Sequence, residues 1–89
     1  MHYEWDEKKR LANFIRHKVD FADAIHFEWD TALETIDDRR DYGEQRWVGL
    51  GFIGEKLHVL VYTFRAQKIH IISLRKANKR ERLYYEKQS

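Results

Sequence analysis

The side chains with the greatest chemical reach in this sequence are arginine, lysine, histidine and tyrosine, and the basic ones gather toward the C-terminus. From Arg65 onward there are eight Lys/Arg (Arg65, Lys68, Arg75, Lys76, Lys79, Arg80, Arg82, Lys87) against two acids (Glu81, Glu86), a charge of +6, while the first 64 residues carry −4. A basic quarter on a weakly acidic body suits a partner with phosphates; the plain alternative is a solvated basic helix. RNA is cleavable by such side chains without a metal, because the ribose 2′-hydroxyl is an internal nucleophile. The reaction then asks for a general base, a donor to the leaving oxygen, and cations facing the charge that develops on phosphorus. The planar fork of arginine matches phosphate oxygens bidentately, and histidine titrates near neutrality. Exposed Tyr42, Tyr84 or Tyr85 would stack on a splayed base.

Other chemistries lose support. The five histidines, His2, His17, His26, His58 and His70, include no pair four apart that would share a helical face, so no metal site is expected. His58 and His70 fall on neighbouring strands, where a half-buried or surface pair is expected in preference to a ligand pair. There is no cysteine, and Ser73 is the only serine before Ser89, without a Gly-x-Ser-x-Gly elbow around it. The four glycines are scattered and form no phosphate loop. No cofactor is implied.

The elements that must position the basic set read as follows. His2–Trp5 is a short strand candidate. Asp6 offers an N-cap to a helix over Glu7–His17, with Leu11, Phe14 and Ile15 at helical spacing and Arg16, His17 and Lys18 at its negative end. Asp20 can cap a second helix, with Phe21, Ala24 and Ile25 on one face and an exit at Trp29-Asp30. Leu33–Asp37 is a short strand and 38–43 a charged loop. Strand Arg46–Ile53 holds Gly49 and Gly51 as bulge or close-packing positions. Gly54-Glu55 is a two-residue hairpin signal leading to Lys56–Phe64, and Arg65–Gln67 is a second tight link to Lys68–Leu74. Links this short make successive strands antiparallel neighbours. Leu57–Tyr62 is apolar on both faces apart from His58, as a central strand is. A last helix starts at Ala77-Asn78 and runs to Lys87, with Asn78 and Glu81 at capping-box spacing and Leu83 and Tyr84 as an apolar patch. The expected fold class is α+β: an antiparallel sheet of about four strands flanked by two N-terminal helices and one C-terminal helix.

Each candidate for chemistry has a structural reading beside the functional one. Glu81 reaches back to cap its own helix, Arg80 and Arg82 face solvent, His17 complements the helix dipole, and Lys9 is a surface helix residue. Trp5, Trp29 and Trp47 belong to the core.

Composition bounds the rest. Eighty-nine residues, 43% hydrophobic and 15% aromatic, make one domain over 1–89, and a chain of this size buries roughly 60–65% of its unfolded surface. The absence of cysteine fits a reducing compartment. The longest apolar run, Val59–Tyr62, is far short of a membrane span, and the N-terminus has no signal-peptide pattern, so the expected location is cytoplasmic.

Several ordered blocks from Tyr3 to Tyr85 carry a resemblance. Trp5-Asp6-x-x-Lys9-x-x-x-Asn13-x-x-Arg16-His17-x-Val19-x-Phe21-x-x-Ala24 resembles the N-terminal signature of the BrnT toxin family. Asp41-Tyr42-Gly43-Glu44-Gln45-Arg46-Trp47, followed by Gly49 or Gly51, is similar to its middle block. Val61-Tyr62-Thr63-x-Arg65 and Ile71-Ile72-Ser73-x-Arg75-x-Ala77-x-x-x-Glu81-x-x-x-Tyr85 are similar to its C-terminal signature. The resemblance implies a RelE/ParE-like fold and a ribonuclease that stops translation. It also implies a BrnA-type antitoxin, a ribbon-helix-helix protein, through which alone operator DNA is bound. The polar family positions here are Lys9, Asn13, His17, Arg46, Arg65, Ser73, Arg75, Glu81 and Tyr85. Among them Arg65 and Arg75 are read as phosphate and transition-state cations, and His17 and Glu81 as acid–base candidates. Lys9, Arg46, Lys76, Arg82 and Tyr85 are read as RNA-binding. Two positions depart from the family: Lys18 stands where glycine is usual after the histidine, and Leu74 where alanine is frequent. A lysine forced into a left-handed cap costs roughly 1 kcal/mol there.

Two functions of different class fit these residues: an RNA-cleaving toxin neutralised by a protein partner, and a non-catalytic binding module acting only through its antitoxin and DNA. They differ in whether Arg65 and Arg75 act on RNA or pair with acids of the partner. An orphan nucleic-acid-binding domain is a third reading.

Overall fold

The structure, a computed structural model, describes residues 2–88; Met1 and Ser89, both within the expected domain, lie outside the described residues. In chain order it has β1 (Tyr3–Trp5), α1 (Glu7–His17), two 3-10 turns (Phe21–His26 and Trp29–Thr31), β2 (Leu33–Asp37), β3 (Arg46–Ile53), β4 (Lys56–Arg65), β5 (Lys68–Lys76) and α2 (Lys79–Gln88). The sheet has five strands in the order β1-β5-β4-β3-β2, with β4 central. Strands β2 to β5 are antiparallel neighbours, as their short links require. The hairpin at Gly54-Glu55 places Gly54 at φ 62°, and the β4–β5 turn holds Ala66 and Gln67 at φ 50° and 66°.

Two expectations are corrected. The sheet is mixed, not wholly antiparallel, because β1 adds to β5 in parallel, Tyr3 beside Ile69 and Trp5 beside Ile71. Three residues are too few to show alternation, and the partner strand lies more than sixty residues away, so no link length announces the pairing. The second N-terminal helix is a 3-10 turn instead, capped as expected by Asp20, whose carboxylate accepts from the Ala22 N–H at 2.9 Å. With three residues per turn, Phe21, Ala24 and Phe27 share one side and are buried, while Ile25 is turned out and 63% exposed.

The main core lies between one face of the sheet and these turns. Leu60, Tyr62, Ile69, Ile71 and Leu74 pack there against Val19, Phe21, Ala24 and Phe27, with all three tryptophans at the margin. Gly51 allows the closest approach: a Cβ there would meet Phe27 Cζ at 2.6 Å. Gly49 and Gly51 are therefore close-packing positions; the bulge lies elsewhere, beside Val61/Tyr62.

α1 is built against its own pattern. Leu11, Phe14 and Ile15 are 45–71% exposed, and its one buried residue is Asn13. The reason is its place beside the edge of β5. β1 pairs with β5 only as far as Ile71, which leaves the Leu74 backbone without a strand partner on that side. The Asn13 amide takes that place: Nδ2 donates to Leu74 O (2.7 Å) and Val19 O (3.0 Å), and Leu74 N donates to Oδ1 (3.2 Å). Asp6 caps α1 at its start, and Lys18 closes it in the left-handed conformation (φ 62°), its N–H donating to Phe14 O.

The opposite face is covered at one end only. There Leu50, Leu57 and Val59 pack with Ala77 and Tyr85 beneath α2, and the remainder of the face is open. The capping box of α2 forms as its spacing predicts, Asn78 N to Glu81 Oε1 and Glu81 N to Asn78 Oδ1, both 2.8 Å. No described helix is long and apolar enough to cross a membrane.

Candidate active site

The bulge decides which residues of β5 reach the open face. Val61 pairs with Ser73, but Tyr62 pairs with Ile71 and Thr63 with His70, so one β5 residue is skipped. Strict alternation from Arg75 and Ser73 would continue to Ile71; the slip brings His70 to the open face in its place. Arg75, Ser73 and His70 therefore stand beside Val59, Val61, Thr63 and Arg65 of β4, with Val48 and Arg46 of β3 and Thr35 and Asp37 of β2 beyond them.

Where α2 stops covering this face there is a cleft of roughly 390 Å³, lined among others by Thr35, Asp37, Arg39, Ser73, Arg75 and Glu81. Arg75 is its central cation. Its Nη1 and Nη2 donate to the two oxygens of Glu81, each at 2.8 Å. The guanidinium holds Glu81 below the usual carboxylate range, and the Asn78 N–H adds to this. Glu81 is thus both the helix cap and the counter-ion, and it is ionised at neutral pH. Opposite, Arg39 forks onto Asp37 with two bonds of 2.8 Å, drawing that buried carboxyl down to about 2. His17, half-buried at the end of α1, lies near enough to Arg75 to feel its charge. Burial first, then Arg16 and Arg75, push its pKa below the ordinary histidine value, so it is neutral at pH 7 and able to accept a proton.

Arg65 occupies the far end of the same face. Val59, the partner of Arg75, and Arg65 are six residues apart along β4, about 20 Å at ordinary strand rise. Arg65 has the same arrangement as Arg75: Nε and Nη2 donate to Glu44 at 3.1 and 2.9 Å. Arg46 stands nearby, its Nε 3.7 Å from Glu44 and its guanidinium stacked 4.0 Å above the Tyr42 ring.

Of the residues expected to act, the fold therefore brings Arg75 and Glu81 to one cleft, leaves His17 outside its lining though within reach of the Arg75 charge, and brings Arg65 and Arg46 to a second cluster on the same face. Lys76, Arg82 and Tyr85 line a different groove, of roughly 460 Å³, between the β3–β4 hairpin and α2. Tyr85, read as an exposed stacking platform, is instead half-buried. Its ring meets Phe52 edge-on at 5.4 Å and its hydroxyl donates to Thr31 O at 2.9 Å, because the helix needs an anchor to the sheet. Lys9 is exposed on the first turn of α1, two helical turns before His17. Asn13 is a backbone clamp. His58 and His70 do not approach each other: they pair with Lys76 and Thr63 and lie on opposite faces. Sequence reasoning missed Asp37, Arg39, Glu44 and His70. The Asp41–Trp47 block signals Glu44, but the bulge that turns His70 outward leaves no mark in the sequence.

In comparison with protein families, residues 5–81 match the model of BrnT, a ribonuclease toxin of type II toxin–antitoxin systems. No curated protein matches the chain. The matched span runs from β1 into the first turn of α2 and takes in every residue of the cleft and of the Arg65 cluster.

Proposed function

We propose, since this chain belongs to the BrnT family of type II toxin–antitoxin ribonuclease toxins, that its open sheet face cleaves RNA without a metal ion. Loss of RNA stops translation, and a BrnA-type antitoxin neutralises the toxin by covering this face. The observation that carries the reading is that Arg75 and Arg65 each present a two-pronged fork to a carboxylate on one open face. A carboxylate held in that way stands where two phosphate oxygens would be.

The 2′-oxygen attacks phosphorus, and neutral His17 takes its proton. The P–O5′ bond breaks, leaving a 2′,3′-cyclic phosphate, and the departing 5′-oxygen takes a proton from solvent. Arg75, released from Glu81, meets the negative charge that grows on the phosphoryl oxygens. Arg65 and Arg46 hold a phosphate further along the strand, since about 20 Å is too far for both forks to reach one phosphate. Ionised Glu81 cannot donate a proton, so it is not the acid; it holds Arg75 in the resting cleft and gives it up to the phosphate.

The test is induction in cells. Wild type alone should arrest growth, and co-induction of a BrnA-type partner should restore it. Arg75→Ala and Arg65→Ala should each relieve the arrest while the folded variants still bind the partner. Arrest by the double variant would refute the assignment of the cations. Partner binding without any arrest by wild type would favour a binding module, whose arginines engage acids of the antitoxin.

A further inference from the structure

His70 is a buried titratable side chain, 7% exposed, for which the proposed reaction has no use. Both ring nitrogens are engaged. Nδ1 lies 3.0 Å from Glu4 Oε2 on β1, and Nε2 lies 3.3 Å from Arg65 Nη1 on β4. A guanidinium only donates and a carboxylate only accepts, so the two contacts together fix one form of the ring. That form is the neutral tautomer with its proton on Nδ1, which donates to Glu4 and leaves the Nε2 lone pair for Arg65. Arg65 is thereby held from two sides, by Glu44 through Nε and Nη2 and by His70 through Nη1. An exposed arginine held by one partner alone keeps much of its rotamer freedom. Two structural accidents are needed for this contact: the bulge that turns His70 to the open face and the parallel strand β1 that brings Glu4 beside it.

We propose that His70 is the positioning residue for Arg65. Its ring, oriented by Glu4, keeps the guanidinium on the open face when Glu44 gives way to a phosphate. The proposal rests on the reading of Arg65 as a phosphate-binding cation.

The experiment has two arms on the full chain. In the first, nitrogen NMR of Arg65 Nε compares wild type with His70→Leu and His70→Gln. The Arg65 side chain should be ordered in wild type and in His70→Gln, which keeps an acceptor, and mobile in His70→Leu. An Arg65 signal indifferent to His70 overturns the proposal. In the second, cleavage of an RNA is compared among variants. His70→Leu should lose about 10- to 100-fold, the range seen when an outer hydrogen-bond partner of a binding group is removed. In an Arg65→Ala background the same change should cost nothing further, whereas His70→Gln alone should keep most activity. Full activity in His70→Leu, or losses that multiply in the double variant, overturns it. If wild type cleaves no RNA at all, the ribonuclease reading has failed, and the NMR arm alone still decides whether His70 holds Arg65.

Discussion

Replacing Asn13 with alanine should destabilise the fold more than any other single polar change on α1. The side chain is 8% exposed and satisfies three backbone groups, the Leu74 carbonyl and N–H and the Val19 carbonyl, at 2.7–3.2 Å. Alanine leaves all three without a protein partner, and an unsatisfied buried group costs roughly 1–3 kcal/mol. The site lies at a sheet edge that water can reach once the amide is gone, so the low end applies to each, about 3 kcal/mol in all. A domain of this size has a total of about 5–10 kcal/mol, so the loss is a third or more of it. At about 4–8 °C per kcal/mol, Tm should fall by roughly 10–25 °C. Thermal and urea unfolding followed by circular dichroism measure it. Asn13→Asp is the control: it keeps the acceptor for Leu74 N but sets a charge against two carbonyls, and should fare no better than alanine. A loss below about 1 kcal/mol for alanine would refute the clamp. Because α1 carries His17 toward Arg75, the same change should also loosen the cleft.

Lys18→Gly should stabilise the protein by about 1 kcal/mol, read as a rise in urea midpoint, since the residue sits at φ 62° where a Cβ is strained; an unchanged or lower midpoint would count against the strain. Gly51→Ala should cost on the order of 1–3 kcal/mol, because a Cβ 2.6 Å from the Phe27 ring forces the core apart. Wild-type unfolding without such a loss would mean that Phe27 yields freely. Asp37, held at about 2 by Arg39, binds its proton more weakly folded than unfolded. Its contribution is therefore complete above about pH 4 and is lost as pH falls toward 2; with Arg39 mostly exposed, it amounts to about 1–2 kcal/mol. Asp37→Asn should flatten the acid limb of a stability–pH curve, and an acid limb as steep as in wild type would contradict this.

Much of the fold is legible because the signals are local. Gly54-Glu55, the Asn78/Glu81 box and the Asp6 cap each act within a few residues, and the bounds of β2 and β3 follow from composition alone. The failures share a different cause. The β1–β5 pairing and the bulge depend on partners far away in sequence. The exposed Leu11, Phe14 and Ile15 follow from a helix that docks through a polar amide, against its apolar periodicity. The site is legible in part for the same reason. Arg75 and Glu81 are each singled out by the sequence, but their pairing is shown only by the fold. Arg65 finds Glu44 across 21 positions and His70 by way of the bulge, and Arg39 with Asp37 reads as an ordinary charged loop.

Cleavage of a long RNA in EDTA, with the new ends identified, tests the central claim most directly. Wild type should cut and leave 2′,3′-cyclic phosphate ends. Arg75→Ala should cut about 100- to 1,000-fold more slowly, as when one transition-state donor is lost. Cleavage that requires a divalent metal, that leaves 3′-hydroxyl ends, or that survives Arg75→Ala at the wild-type rate would contradict the account.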